Sequence, residues 1–573
     1  MGQLGLVLRH ADGAPAQPAD LTAITQKLDL WQGEIVSRFQ FEHQPVEVHT
    51  VCAPDQDGLA TRIVSPLLQM HQLAVTLRFP YGTGETITAD WQHPAAHTTK
   101  CIPLNEPGGR FSRQLDQDHY EVAATWSKGT TITKIATHEY QFQPGESADS
   151  LELSLNFAPA KAPTPQAFAA TQAASAKHWQ QFWSTGGAID LAGSQDPRWF
   201  ELERRIVLSQ YLTAIQDAAG HPPQETGLTY NTWEGKFHLE MHWWHEAHFA
   251  LWDRLPLLEA SLPYYQQILP RAQGTAQKQG YAGARWPKMT SPSGAESPSP
   301  VGPFLVWEEP HPIFYAELCY RQQPQPATLQ KYREMVFQTA DFLASYPTWD
   351  TNTSRYVLGP TLQCAQEIFP KDKTFNPTFE LTYFRWALET AQQWRIRLGL
   401  PREAKWDDVL QHLARPTVVE GKYAFTESTP DCYTNPKWNA DHPTVTAALG
   451  LLPGPQIDVA TMSRTFDWVM QNWNWPDTWG WDYPMLAMTA ARLGQPERAI
   501  DALLLDTPKN HWAINGHVYQ RPGLTIYLPA NGGLLYAIAL MAAGWDGAPA
   551  KNAPGFPADG RWQVRWENLQ TAP

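Results

Sequence analysis

From Pro197 to about residue 545 the sequence repeats one pattern, a helical stretch followed by a long Pro/Gly-rich loop, with no strand-like run between. The clearest stretches are 198–219, 255–279, 312–320, 327–345, 377–398, 460–473, 484–493, 496–505 and 532–543. Helices joined only to helices must bury their apolar stripes against one another, so the pattern predicts an all-α toroid and excludes a βαβ sheet. Residues 1–160 follow a different period. Short alternating runs at 35–41, 46–51, 72–78 and 151–157, set apart by Pro, Gly and Asp turns, predict a β-sandwich. Strand-like sequence begins directly after Met1, so first strands are expected to be missing from this sandwich. The Ala-rich run 167–183 predicts a helical linker within 161–192, before a catalytic unit over 193–550 and a 551–573 tail with one strand at 560–569.

Composition narrows the partners. A net charge of −14 with no run of Lys or Arg argues against nucleic acid and anionic membranes. No window approaches the ~20 apolar residues that a membrane span needs. The start shows no basic-then-apolar leader, which suits the cytoplasm, or the periplasm or exterior if a leader was removed. Five scattered cysteines without a CxxC fit buried free thiols better than zinc or disulfides. No GxGxxG, P-loop or GxSxG occurs, so no cofactor is expected.

The chemistry concentrates in Tyr230–Trp252, YNTWEGKFHLEMHWWHEAHFALW, with four Trp, four His and three Glu. Buried indoles, imidazoles and carboxylates each need a partner, whereas a sugar offers C–H faces for Trp and hydroxyls for Glu, His and Lys. Two readings stay open for this segment alone: a packing helix with satisfied polar groups, or a sugar site. Its histidines share helix faces, but it lacks HExxH and no distant ligand set stands out, so no metal is expected. Three later loops repeat the mixture: 283–318 with Trp286, Lys288, Trp307, Glu308, Glu309 and His311; 359–381 with Glu367 and Asn376; and 472–494 with Asp482 between Trp481 and Tyr483. Glycosidic cleavage needs a proton donor and usually a second carboxylate. Glu367, between Ala365 and an Ile-Phe-Pro run, sits where apolar neighbours favour a protonated acid.

On these residues the chain resembles the six-hairpin glycosidases, most closely glycoside hydrolase family 65 and more distantly family 95. The resemblance rests on the linker HWQQFWSTGGAIDL, on GYAGARWPK, on EEPHPIFY and on LGPTLQCAQEIFPKDKTFNPTFEL. It implies an N-terminal β-sandwich, a helical linker and an (α/α)6 barrel, and it implies Glu367 as general acid. It also places Lys236–His242 at the first sugar-contacting segment, with Glu240 the acid nearest the expected one. One departure stands out. Family 65 hydrolases draw their base from a carboxylate just before a Gly-Gly helix, and no Asp or Glu occurs between Thr507 and Trp545. Asp482 is therefore the expected base, with Asp441 and Glu240 in reserve.

The leading expectation is an inverting, exo-acting glycosidase on a carbohydrate substrate. Trp233, Glu240, His242, Trp286, Lys288, Trp307, Glu308, Glu309, His311, Asn376, His517 and Gln520 are expected to hold the sugar. A phosphorylase using His511, His517 and Arg521 against inorganic phosphate is the alternative. A polysaccharide lyase using Lys288 and His517, and a non-catalytic glycan-binding protein, follow.

Overall fold

The computed structural model describes residues 2–85, 87–104 and 107–573, with the backbone alone at 234, and divides into two compact units, residues 1–185 and 186–573. In the first, an eight-stranded antiparallel sheet faces a four-stranded one. The large sheet runs in the order Thr22–Asp29, Glu34–Phe41, Gln44–Cys52, Gly58–Val64, Ser150–Ala158, Asp118–Trp126, Gly108–Leu115 and His97–Pro103. The small one runs Gln3–Leu8, Leu73–Arg78, Glu139–Gln143, Thr131–Ala136. Alternate residues such as Val46, Ile63, Phe111, Val122 and Leu153 meet Leu73, Val75, Leu77 and Phe142 in one core, so this unit is a sandwich. Helix α1 (Phe168–Ser184), expected as a linker, lies on the outer face of the large sheet, where Phe168 packs on Val51 and Ala60.

The second unit is built of α2 (Trp199–Gln216), α3 (His242–Leu251), α4 (Leu255–Ser261), α5 (Pro263–Lys278), α6 (His311–Gln322), α7 (Pro326–Ser345), α8 (Thr378–Arg397), α9 (Ala404–His412), α10 (Ala447–Gly450), α11 (Val459–Asn472), α12 (Asp482–Arg492), α13 (Pro496–Leu503) and α14 (Leu528–Ala543). Helices α3, α6, α8, α10, α12 and α14 touch in that order and α14 returns to α3, closing an inner ring. All ten residues of α3 are buried, as is α14 up to Ala542, so these helices are wrapped on every side. Between them run the half-exposed α2, α5, α7, α9, α11 and α13, which supply the outer layer of an (α/α)6 barrel.

Tight approach fixes the ring at one point. A Cβ on Gly532 would stand 1.9 Å from the Trp244 carbonyl oxygen, and one on Gly533 2.9 Å from Pro484, so α14 can meet α3 and α12 only with glycine there.

Three local expectations are corrected. The stretch 255–279 breaks at Leu262, where Pro263 cannot donate to the preceding turn. The interhelical loops carry short ladders, such as Phe237–His238 with Met289–Thr290, because two residues are too few to show a strand period. The tail strand shrinks to Arg565–Glu567, paired with Ala188–Asp190. Of the cysteines, Cys319, Cys364 and Cys432 are buried and free, whereas Cys52 is exposed. Among the described residues no helix is long and apolar enough to cross a membrane, and no cluster of three or more His, Cys, Asp or Glu could hold a metal ion.

Candidate active site

The chemically distinctive residues lie where the chain enters the inner helices: Glu240 just before α3, Trp307 before α6, Glu367 in the loop before α8, Asp441 and His442 before α10, and Asp482 at the first position of α12. Ring closure brings these entries to one end of the barrel.

Lys288 is the hub. Its ammonium stands 3.0 Å from Glu240 Oε2 and 2.6 Å from Glu367 Oε1. Glu240 is enclosed and also accepts from His238 Nε2 at 3.1 Å and Trp307 Nε1 at 3.0 Å. Burial works against its charge, but Lys288 and His238 outweigh burial and hold the Glu240 carboxyl below the usual range. Burial likewise disfavours the Lys288 ammonium, and the two carboxylates reverse that and raise it. Glu367 is different. Its side chain keeps 31% exposure. Burial raises its carboxyl; Lys288 opposes that, while Glu240 and then Asp441 add to it, and the net shift is upward. One ammonium between two carboxylates neutralises only one of them, and Glu240 has the greater share.

A second chain of contacts runs from Glu367 to α12. The Glu367 backbone N–H donates to Asp441 Oδ2 at 2.7 Å, and Trp479 Nε1 donates to Asp441 Oδ1 at 3.0 Å. Asp441 sits at φ +61° in a loop pinned by Trp473 Nε1, which donates to its carbonyl, and by its own N–H on the Asp477 carbonyl. Gln366 ties the Glu367 loop to the same segment through the Trp438 and Ala440 carbonyls. His442 follows, with Nδ1 2.8 Å from Asp482 Oδ1 and Nε2 3.6 Å from Asp441 Oδ1. Trp481 stacks on this imidazole at 4.0 Å and leans on Trp244 and Trp307. Burial opposes charge on His442, but Asp441 and Asp482 outweigh it and hold the ring protonated up to about 9.

Trp233 provides the apolar wall. It is 44% exposed at φ +49°, its indole N–H is fixed on Glu225 at 3.0 Å, and Lys288 Nζ lies 5.9 Å from its ring. An exposed indole held by a buried carboxylate beside charged groups is a surface on which a sugar face can stack.

The remaining expected residues divide. His311 supports the site from beneath: its Nε2 donates to the Glu240 carbonyl at 3.1 Å while Nδ1 accepts from Tyr383, and burial keeps it neutral, down to about 3. Gln520 is enclosed and accepts from the Gly480 N–H at 2.9 Å, holding the loop that carries Trp479 and Trp481. Asn376, at φ +48°, joins Leu358 N–H to Glu427 and shapes the Glu367 loop without facing the opening. His242 is in the core against Tyr265, Ser261 and Glu246. Trp286 and Glu309 are enclosed, with Glu309 on Arg285 at 3.0 Å and on the Trp286 N–H. Glu308 is buried, and neither of its carboxyl oxygens has a hydrogen-bond partner among the described residues. His517 is joined to Gln216 of α2.

Asp482, the expected base, has no exposed surface, and its two oxygens are taken by His442 Nδ1 and the Trp479 N–H at 2.9 Å; both oxygens of Asp441 are hydrogen-bonded too, but its side chain keeps 14% exposure. The carboxylate that reaches the Glu367 side is Asp441, held until now in reserve. Its signal in the sequence was the Asp-His-Pro in the loop that leads into α10, an acid ahead of an inner helix as Glu240 is ahead of α3. Trp479 and Glu225 were not singled out by sequence reasoning.

No protein-family model matches the chain, and no curated protein does. Solved structures do match. One titled "Putative kojibiose phosphorylase from human microbiome" superposes with a TM-score of 0.72 at 10% identity, over 98% of this chain and 82% of that one. A bacterial glucoamylase complexed with acarbose gives 0.55 at 11% identity, over 97% of this chain and 89% of that one. At such identity the likeness is one of fold, an N-terminal β-sandwich followed by an (α/α)6 barrel.

Proposed function

We propose that the protein is a glycoside hydrolase that removes a sugar from the end of an oligosaccharide or glycan with inversion. Glu367 donates the proton and Asp441 activates water. The observation that supports this reading is the pairing of a part-exposed acid, lifted by burial and by neighbouring carboxylates, with a second carboxylate held against its backbone, beside the exposed face of Trp233. In the reaction Asp441 takes a proton from water, the water oxygen bonds to the anomeric carbon, the glycosidic bond breaks, and the departing oxygen takes its proton from Glu367. Lys288 and Glu240 hold Glu367 in place, and Trp307 and His238 fix Glu240.

The test uses kojibiose, the sugar for which the first similar structure is named, together with maltose, other disaccharides and dinitrophenyl glycosides. Glu367→Gln is expected to lose about 10²–10⁴-fold on the disaccharides. It should keep much more activity on dinitrophenyl glycosides, whose leaving group needs no proton. Proton NMR of the first-formed sugar should show the inverted anomer. Undiminished disaccharide cleavage by Glu367→Gln refutes the assignment. Turnover that requires inorganic phosphate and yields a sugar phosphate would replace hydrolysis with phosphorolysis on the same fold.

A further inference from the structure

His442 lies between two carboxylates from different loops, and its geometry constrains its charge. Nδ1 faces Asp482 Oδ1 at 2.8 Å and Nε2 faces Asp441 Oδ1 at 3.6 Å. A neutral imidazole carries one N–H, so either tautomer would turn a lone pair toward one of these carboxylates. The Nε2 contact is too long for a hydrogen bond, but a doubly protonated ring donates to Asp482 and sets a positive edge 3.6 Å from Asp441. The face of Trp481 at 4.0 Å favours a cation there as well. Asp482 cannot turn away, because its second oxygen holds the Trp479 N–H, and the indole N–H of that same Trp479 reaches Asp441.

We propose that His442 is a positioning residue: clamped as an imidazolium by the enclosed Asp482, it sets a positive N–H against Asp441 and keeps that residue a carboxylate directed to the side where Glu367 works. The inference rests on the reading of Asp441 as base. The charged groups around the ring are Asp441 from its own loop, Asp482 from the start of α12 and Glu367 from the loop before α8, while Lys509 acts on Asp482 from beyond Trp479. Trp244 and Trp307, which flank Trp481, bring no charge.

The experiment combines a titration with a rate profile on the full chain. Imidazole ¹³C signals of the histidine-labelled protein are followed from pH 5 to 10, with His442 identified by its loss in His442→Gln. The ring should stay protonated through pH 8, and Asp482→Asn should return its titration to the ordinary histidine range near 6.5. On the cleaved sugar, His442→Gln should move the acid limb of kcat/KM upward by about 1–2 pH units with KM within about threefold, because a carboxylate deprived of a neighbouring cation binds its proton more tightly. The double variant His442→Gln/Asp482→Asn, which does not strand the buried Asp482 carboxylate without its imidazole partner, should fold well and show the same displaced limb. A His442 that is neutral at pH 7, or an acid limb unmoved in both variants, overturns the proposal. Full activity of Asp441→Asn would instead overturn the base assignment beneath it, and that failure is distinct because His442 of the unsubstituted protein would still stay protonated through pH 8 and Glu367→Gln would still be inactive.

Discussion

Replacing Lys288 by Met tests the charge balance of the site most directly. The side chain is enclosed and its ammonium serves Glu240 at 3.0 Å and Glu367 at 2.6 Å. Removing one partner of a buried ion pair costs about 3–5 kcal/mol, because the other charge stays desolvated. Glu240 keeps its hydrogen bonds to His238 and Trp307, which places Lys288→Met at about 3 kcal/mol. In the native protein the Glu240 carboxyl is held low, so its contribution is present above the ordinary glutamate value and fades only as pH falls below it. Without Lys288 burial is no longer offset, the carboxyl rises, and the folded state takes up a proton. The variant's deficit should therefore be largest at pH 8 and shrink toward pH 4. Urea unfolding across that range measures it, and Lys288→Met/Glu240→Gln should recover most of the loss. The catalytic signature is separate: Glu367 loses the cation that opposes its rise, so the alkaline limb of kcat/KM moves upward. A loss under about 1 kcal/mol that does not vary with pH would refute the reasoning, since it would mean Glu240 never carried its charge in a desolvated site.

Three further outcomes follow from the same geometry. Trp233→Ala should raise KM roughly three- to tenfold, from about 0.5–1.5 kcal/mol of lost stacking, and should lower the unfolding midpoint modestly, because the buried Glu225 loses its indole donor. Gly532→Ala should sharply reduce soluble yield or lower the unfolding midpoint, since the added carbon meets the backbone of α3 at 1.9 Å and a backbone cannot yield as a flexible side chain would. Glu308→Gln should stabilise the protein on the alkaline side, as read by unfolding at pH 6 and 9. Burial, then Glu309 and Glu240, lift the Glu308 carboxyl well above its usual value, so the native state loses stability as pH rises past the unfolded value, and a neutral amide removes that dependence.

The parts that were legible in the sequence have a common physical origin. Outer helices such as α7 and α11 keep one wet face, so their apolar period survives and their limits were read to within a residue or two. Helix α10 has four residues and α9 nine, too short for a period to register against their loops. Helix α14 is apolar all round and was marked by Gly532-Gly533 and length, which recovered only its later part. The site divides along a similar line. An acid among tryptophans at a helix start reads the same whether it meets substrate or is covered, and Asp482 and Asp441 differ only in which loop closes over which carboxylate. What separates them is the imidazole of His442, whose two nitrogens come from one residue but find partners 40 positions apart and next door. The histidines of α3 show the rule in reverse. His242, His245 and His248 have the residue type of a sugar site, yet the helix body carries them into the core, whereas Glu240, two residues ahead of the first turn, stays beneath the opening. Position relative to the start of an inner helix therefore sorts site from core better than residue type does. Applied to the loop before α12, the same rule selects Trp479, one residue before Gly480, whose indole and backbone N–H groups reach the two aspartates on either side of His442.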